Sequence, residues 1–164
     1  MGTGTGKTLT SLFRFRQNPT DKLLVVCPRS VVEQWAAVIE SNFGDLRVQK
    51  YKKSWNAKKK NNQLIHQKGE YDVIIINYEV LWKMDNLNKL INDNWTIILD
   101  ESHRIKSWGS ARSPVRQTRA ALALGELTMW KILLTATPAQ GNFGGYLDYY
   151  TQLKFLGYID MSFK

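Results

Sequence analysis

Trp95-Thr96-Ile97-Ile98-Leu99-Asp100-Glu101-Ser102-His103 is a short apolar run that stops abruptly on two acids. Five residues with almost no polar interruption suit a strand buried on both faces, as in a parallel sheet covered by helices. The same pattern recurs on either side. Leu23–Cys27 is an apolar run stopped by Pro28, Asp72–Ile76 is another, and Lys131–Leu134 a fourth. Leu46–Tyr51 is a weaker strand candidate. Helical periodicity fills the intervals: Leu9–Arg16, Val31–Phe43, Tyr78–Met84, Leu87–Ile91, Ser113–Leu124 and Tyr146–Leu156. Ser30 followed by Glu33 reads as a capping box for the second of these, and Pro114 fits the first turn of the fifth. Alternating strands and helices predict an α/β layered fold. In such sheets ligands bind beyond the carboxyl ends of the strands. Pro28-Arg29, Asn77-Tyr78-Glu79, Asp100-Glu101-Ser102-His103 and Thr135-Ala136-Thr137-Pro138 all fall there.

The 164 residues suit one domain, 1–164, with enough chain to bury a core. No apolar run approaches the ~20 residues of a membrane span. Met1 leads directly into Gly2-Thr3-Gly4, so no signal peptide is expected. A lone cysteine, Cys27, excludes an internal disulfide and points to a reducing, intracellular compartment; it reads as a small buried apolar residue. Trp35 and Trp130 read as core. Lys and Arg outnumber Asp and Glu by 23 to 14, a net charge of +9 that favours polyanionic partners, above all nucleic acid.

Gly2-Thr3-Gly4-Thr5-Gly6-Lys7-Thr8 precedes the first helix. Glycines let backbone N–H groups converge on phosphate oxygens, and a helix starting at Lys7 adds its positive end. Lys7 reaches the β and γ phosphates in such loops, and the hydroxyl of Thr8 binds Mg2+. The strict pattern is not met, because its first glycine falls on Met1. A Gly/Thr-rich tail is the competing explanation. The acids supply what a phosphate loop needs downstream. Asp100 would hold hydrated Mg2+, and Glu101 would orient the water attacking the γ-phosphorus. One strand-end Asp can equally cap a turn. His103 sits two residues past Glu101, where it can relay nucleotide state to Thr135 and Thr137 on the next strand end; ordinary turn chemistry before Pro138 is the alternative.

Five blocks carry a resemblance. Gly4-Thr5-Gly6-Lys7-Thr8, Val25–Trp35, Asn77-Tyr78-Glu79, Asp100-Glu101-Ser102-His103 and Leu134–Asn142 resemble, in order and spacing, the Swi/Snf branch of superfamily-two helicases. Gly145–Tyr150 through Leu156 is similar to the helix following the Thr-Pro block there. The likeness spans nearly the whole chain, and five blocks in order are far more specific than any one. It implies a P-loop NTPase fold, a RecA-like three-layer sandwich with a mainly parallel central sheet, lacking its first strand. It implies ATP hydrolysis with Mg2+, coupled to movement along duplex DNA. Gly2, Thr3, Gly4, Thr5, Gly6, Lys7 and Thr8 match the nucleotide site, Lys7 and Glu101 its catalytic residues, Thr8 and Asp100 its metal residues. His103, Thr135, Thr137 and Gln140 match residues coupling hydrolysis to DNA. Pro28, Arg29 and Ser30, and more weakly Asn77 and Tyr78, match nucleic-acid contacts. The family's adenine-reading segment, the strand entering the phosphate loop, and the second RecA-like lobe with its arginine finger have no counterpart here. The chain therefore reads as a first lobe alone, from a fragment or truncated product.

Lysines at 50, 52, 53, 58, 59, 60 and 68 interleave with Tyr51 and Trp55, a mixture suited to nucleic-acid contact or to a solvated face. Arg29, Arg104, Lys106, Arg112, Arg116 and Arg119 form a second basic set. Two alternatives to the motor lobe remain: a different phosphate-loop enzyme, such as an AAA-type protein or a small nucleotide kinase, and a catalytically weak nucleic-acid-binding module.

Overall fold

The computed structural model of the chain describes residues 6–51, 69–83, 87–105, 115–137 and 145–159. The elements run α1 (Lys7–Gln17), β1 (Lys22–Cys27), a 3-10 turn (Arg29–Val31), α2 (Val32–Asn42), β2 (Val48–Tyr51), β3 (Val73–Asn77), α3 (Tyr78–Leu81), α4 (Leu87–Leu90), β4 (Trp95–Asp100), a second 3-10 turn (Ser102–Ile105), α5 (Arg116–Gly125), β5 (Lys131–Leu134) and α6 (Gly145–Leu156). The five strands form one sheet in the order β2-β3-β1-β4-β5. Every pairing is parallel.

Period-two geometry splits the strands' apolar side chains into two cores. Leu23, Val25, Cys27, Val73, Ile75 and Ile98 face α1 and α2, meeting Leu12, Phe15, Val32, Trp35 and Ile39. Leu24, Val26, Ile74, Ile76, Ile97 and Leu99 face the other helices, meeting Tyr78, Leu81, Leu87, Leu122 and Phe155. The result is the expected helix–sheet–helix sandwich. Only β1, β3 and β4 are buried along nearly their whole length. Edge strands β2 and β5 are half-buried, since each has a neighbour on one side only among the described residues.

Three local expectations change. Ser30 does not cap α2. Arg29–Val31 tightens into a 3-10 turn in which Val31 N–H donates to Pro28 O at 3.1 Å. The helix then begins at Val32 with no side-chain cap, and Glu33 pairs with Lys50 Nζ at 2.9 Å instead. The Tyr78–Met84 helix stops at Leu81, and Lys83 N–H closes the end on Val80 O; Met84 is outside the described residues. The fifth helix is described from Arg116, and Ser113 and Pro114 also lie outside.

At the sheet's amino end one carboxylate organises three neighbouring strands. Asp72, just before β3, accepts Arg47 Nε at 2.9 Å, a second Arg47 nitrogen at 3.0 Å and Arg47 backbone N–H at 3.0 Å. It also accepts Lys22 Nζ, from the start of β1, at 3.1 Å. Arg47 leads into β2, so the entrances of β2, β3 and β1 share this charge. The Arg47 guanidinium, then its backbone N–H and Lys22, hold the Asp72 carboxyl well below the usual range, against a smaller opposing effect of burial. Across the sandwich, α5 meets α6 so closely that a Cβ on Gly125 would lie 2.8 Å from the Phe155 ring.

Asp72→Asn is expected to lower stability by about 2 kcal/mol at neutral pH. A carboxyl depressed by folding contributes fully above its unfolded value near pH ~4, and the contribution fades as pH falls through the folded value. Unfolding curves of wild type and variant should therefore converge in acid; a gap that persists unchanged into strong acid would contradict the clamp.

Candidate nucleotide and nucleic-acid site

The carboxyl ends of the central strands form one row. Cys27 is in register with Asn77, and Asp100 with Leu134. Cys27 also lies one step past the Val26↔Leu99 pair, which sets it beside Asp100. Asp100 is half-buried and held on both oxygens. Trp35 Nε1 donates to Oδ2 at 2.8 Å, and Glu101 backbone N–H donates to Oδ1 at 3.0 Å. Its main-chain carbonyl accepts the Tyr78 hydroxyl at 2.8 Å. Burial pushes the Asp100 carboxyl above its ordinary range, and the Glu101 charge adds to this. The Trp35 hydrogen bond, the Glu101 N–H and the Lys7 charge pull it back. Burial, then the charge of Asp100, likewise pushes the Cys27 thiol up. Cys27 is thus a neutral core group, as expected.

Glu101 turns the chain out of β4 with φ 53°, the only positive φ outside glycine among the described residues. That left-handed geometry is costly for a residue with a Cβ. It starts the 3-10 turn, where Arg104 N–H donates to Glu101 O at 3.0 Å. The turn returns His103 Nδ1 to within 3.0 Å of Glu101 Oε2. The same Nδ1 lies 3.5 Å from Thr135 Oγ1, at the long limit of hydrogen bonding. Thr135 Oγ1 in turn accepts Thr137 N–H at 3.1 Å. Glu101, His103, Thr135 and Thr137 therefore make one chain of contacts across the ends of β4 and β5. Ser102 anchors this turn from behind, donating to Gln152 Oε1 of α6 at 2.7 Å with both side chains buried.

Helix α1 begins at Gly6, whose φ of 70° a side chain would disfavour. Thr10 N–H bonds to Gly6 O. The amides of Lys7, Thr8 and Leu9 consequently have no acceptor within the helix. Among the described residues no acid occupies the first turn and no side chain caps it, an arrangement that favours an anion at the positive helix end. Gly2, Thr3, Gly4, Thr5 and Gln140 lie outside the described residues.

The donor set fits Mg2+ with a nucleotide. Among the described residues no three His, Cys, Asp or Glu side chains cluster as a metal cage. Mg2+ at phosphate sites needs none, being held by one or two carboxylates, waters and phosphate oxygens. Asp100, oriented on both oxygens, is a carboxylate of that kind, and Thr8 at the start of α1 is half-buried.

The expected nucleic-acid residues separate. Arg29 and Ser30 are exposed, whereas Pro28, Asn77 and Tyr78 are buried. The Asn77 and Tyr78 side chains support the site from beneath and present no surface; the Asn77 amide donates to Glu79, and the Tyr78 phenol is spent on Asp100. One member of the second basic set, Arg116, joins Lys83 at an exposed aromatic. Trp82 has the Arg116 guanidinium 5.3 Å from its ring centroid and Lys83 Nζ at 4.8 Å. Arg104 lies 5.9 Å from the Tyr78 ring. Residues 52–68, Lys106 and Arg112 are outside the described residues.

Residues 2–160 match the model of the SNF2-related domain. The chain belongs to the SNF2-related domain family. The yeast (Saccharomyces cerevisiae) ISWI chromatin-remodeling complex ATPase ISW1 is 30% identical over 148 residues, covering 85% of this chain and 12% of that protein. Drosophila melanogaster Transcription termination factor 2 is 27% identical over 136 residues, covering 81% and 12%. The chain thus spans about an eighth of the curated relatives it matches. In fold it is similar to the Sulfolobus solfataricus SWI2/SNF2 ATPase core in complex with dsDNA, with TM-score 0.70, 24% identity, and coverage of 95% of this chain and 30% of that one. A second structure, the Sulfolobus solfataricus SWI2/SNF2 ATPase core domain, gives 0.66 at 22% identity, over 95% and 29%. The family's RecA-like fold is therefore the fold of this chain.

Sequence reasoning placed Trp35 in the core and stopped there. It is buried, yet it also holds Asp100. The signal was available in principle, because a buried indole N–H almost always finds an acceptor. Ser102 and Gln152 carried no comparable sign.

Replacing the strained residue separates stability from site chemistry. Glu101→Gly is expected to raise unfolding stability by about 0.5–1 kcal/mol, by relieving the left-handed backbone. It should remove the Glu101–His103 pair at the same time. Thermal unfolding checks it, and an unchanged or lowered midpoint would argue against strain at Glu101.

Proposed function

We propose that this chain, residues 1–164, is the first RecA-like lobe of an ATP-driven motor that moves along duplex DNA. The observation that carries the proposal is the acid pair at the end of β4. Asp100 is fixed on both oxygens and close enough to Lys7 to feel its charge, and Glu101 projects from a strained turn beside His103. In this reading the amides at the start of α1 and Lys7 bind the β and γ phosphates. Thr8 and Asp100 hold Mg2+, which when bound would neutralise phosphate charge. Glu101 orients and polarises the attacking water. His103 links Glu101 to Thr135, so the end of β5 senses the state of the base, and Thr137 follows through its N–H. Pro28 and the buried Asn77 and Tyr78 shape the floor; Gln140 belongs to the same coupling block.

DNA as partner is supported by the net charge of +9, the exposed Arg29-Ser30 turn and the cations around Trp82. Backbone phosphates are the target such an arrangement suits. Similarity to an ATPase core solved with dsDNA points the same way. A second RecA-like lobe, supplied by sequence outside this chain, would complete the nucleotide site and the DNA track. Family membership disfavours an AAA-type protein or a nucleotide kinase. No helix among the described residues is long and apolar enough to cross a membrane.

The test is ATP hydrolysis by the chain with and without duplex DNA. Slow turnover is expected of this lobe by itself, because an arginine finger alone can be worth ~10³ in rate. DNA should stimulate it, and Glu101→Gln should lower it by roughly 10²-fold or more. Turnover indifferent to DNA would sink the motor reading. Salt-sensitive DNA binding without any turnover would favour the weak nucleic-acid-binding module instead.

A further inference from the structure

Trp35 approaches Asp100 in a way that packing does not require. It is 2% exposed and belongs to the same buried core as Val32, Ala36 and Ile39 of α2 and the strand residues Val25 and Cys27. The indole is thus held by the core, and its N–H meets Asp100 Oδ2 at 2.8 Å. The other oxygen, Oδ1, is taken by Glu101 N–H at 3.0 Å. A carboxylate has about four lone-pair sites. Two donors, one on each oxygen, fix its plane, and among the hydrogen bonds of the described residues each oxygen keeps a further lone pair.

We propose that Trp35 is the positioning residue for magnesium at this site: its indole N–H locks the Asp100 carboxylate in the orientation that receives the metal of a bound nucleotide. The proposal rests on the nucleotide-site reading above. The chemistry of the donor explains the residue type. An indole N–H donates and accepts nothing, so it cannot compete with the carboxylate for a cation. It carries no charge, so it orients Asp100 without neutralising it, as an Arg or Lys in its place would. Asp72 shows the contrast within the same protein, its charge matched by Arg47 and Lys22 at the far end of the sheet. Trp35 also belongs to the helix that follows the exposed Arg29-Ser30 turn. One rigid segment therefore joins that surface to the carboxylate.

The experiment is calorimetric titration with a non-hydrolysable ATP analogue, in excess Mg2+ and separately in EDTA, for wild type and Trp35→Phe. Wild type should bind more tightly with Mg2+. Trp35→Phe should lose roughly 10- to 100-fold of affinity in Mg2+, the usual consequence of removing a partner behind a metal ligand. Its affinity in EDTA should be unchanged. A packing role alone would weaken binding equally in both conditions, or leave the gain from Mg2+ intact, and either result overturns the proposal. If Trp35→Phe does not fold, replacement of Trp35 by 3-benzothienylalanine keeps the ring shape and puts sulfur where the N–H was; the same split is expected. Wild-type binding that is indifferent to Mg2+, or absent, would overturn the nucleotide-site reading together with this one.

Discussion

A parallel sheet covered on both faces leaves polar chemistry only the strand ends. Along β1, β3 and β4 nearly every side chain is buried. An unpaired charge placed there would have to be neutralised or would cost several kcal/mol. Thr96, the one polar residue inside β4, shows the rule on a small scale. Its hydroxyl is met by Thr20 Oγ1 at 2.7 Å and by Asn18 Nδ2 at 3.1 Å, both from the segment joining α1 to β1. Every carboxylate of consequence stands instead at one end of the sheet or the other.

The two ends use their carboxylates oppositely. At the amino end Asp72 is surrounded by cations and amides until its charge is satisfied, and it ties strands together. At the carboxyl end Asp100 is oriented by an indole and an amide, makes no ion pair among the described residues and feels Lys7 only as the smallest influence on its charge, while burial works against that charge. Adjacent Glu101 adds repulsion and a left-handed backbone. Charge is satisfied at one end of the sheet, and backbone strain sits at the other.

What could be read from the sequence follows from how local each cause is. The strands were legible because burial on both faces makes them apolar at every position, a property of five consecutive residues. Edge strand β2 was weak in the sequence for the reason that it is half-buried in the fold. The acids were legible because they terminate such a run. The cap at Ser30 was misread because Ser-x-x-Glu is a local signal overruled by a tighter turn on Pro28 and by Lys50 across the surface. Asn77 and Tyr78 were matched to nucleic-acid contacts, and their burial depends on β1, β4 and the helices around them. Trp35 and Asp100 are 65 residues apart, and no spacing rule connects a helix face to the end of the fourth strand along the chain. Nor does any pattern announce that Ser102 bonds to Gln152 or that Arg47 grips Asp72.

The all-parallel pairing has a consequence for how the chain is made. Central strand β1 hydrogen-bonds to no close neighbour in sequence. Leu23 waits for Val73 on one side, and Lys22 waits for Trp95 on the other. During synthesis the run Leu23–Cys27 leaves the ribosome with both edges and both faces open, long before either partner exists. Non-local pairing of this kind folds slowly and exposes apolar strand in the interval. Until β4 has been made, this segment depends on α1, α2 and any chaperone at hand for cover, and its most dangerous moment comes before its chemistry begins.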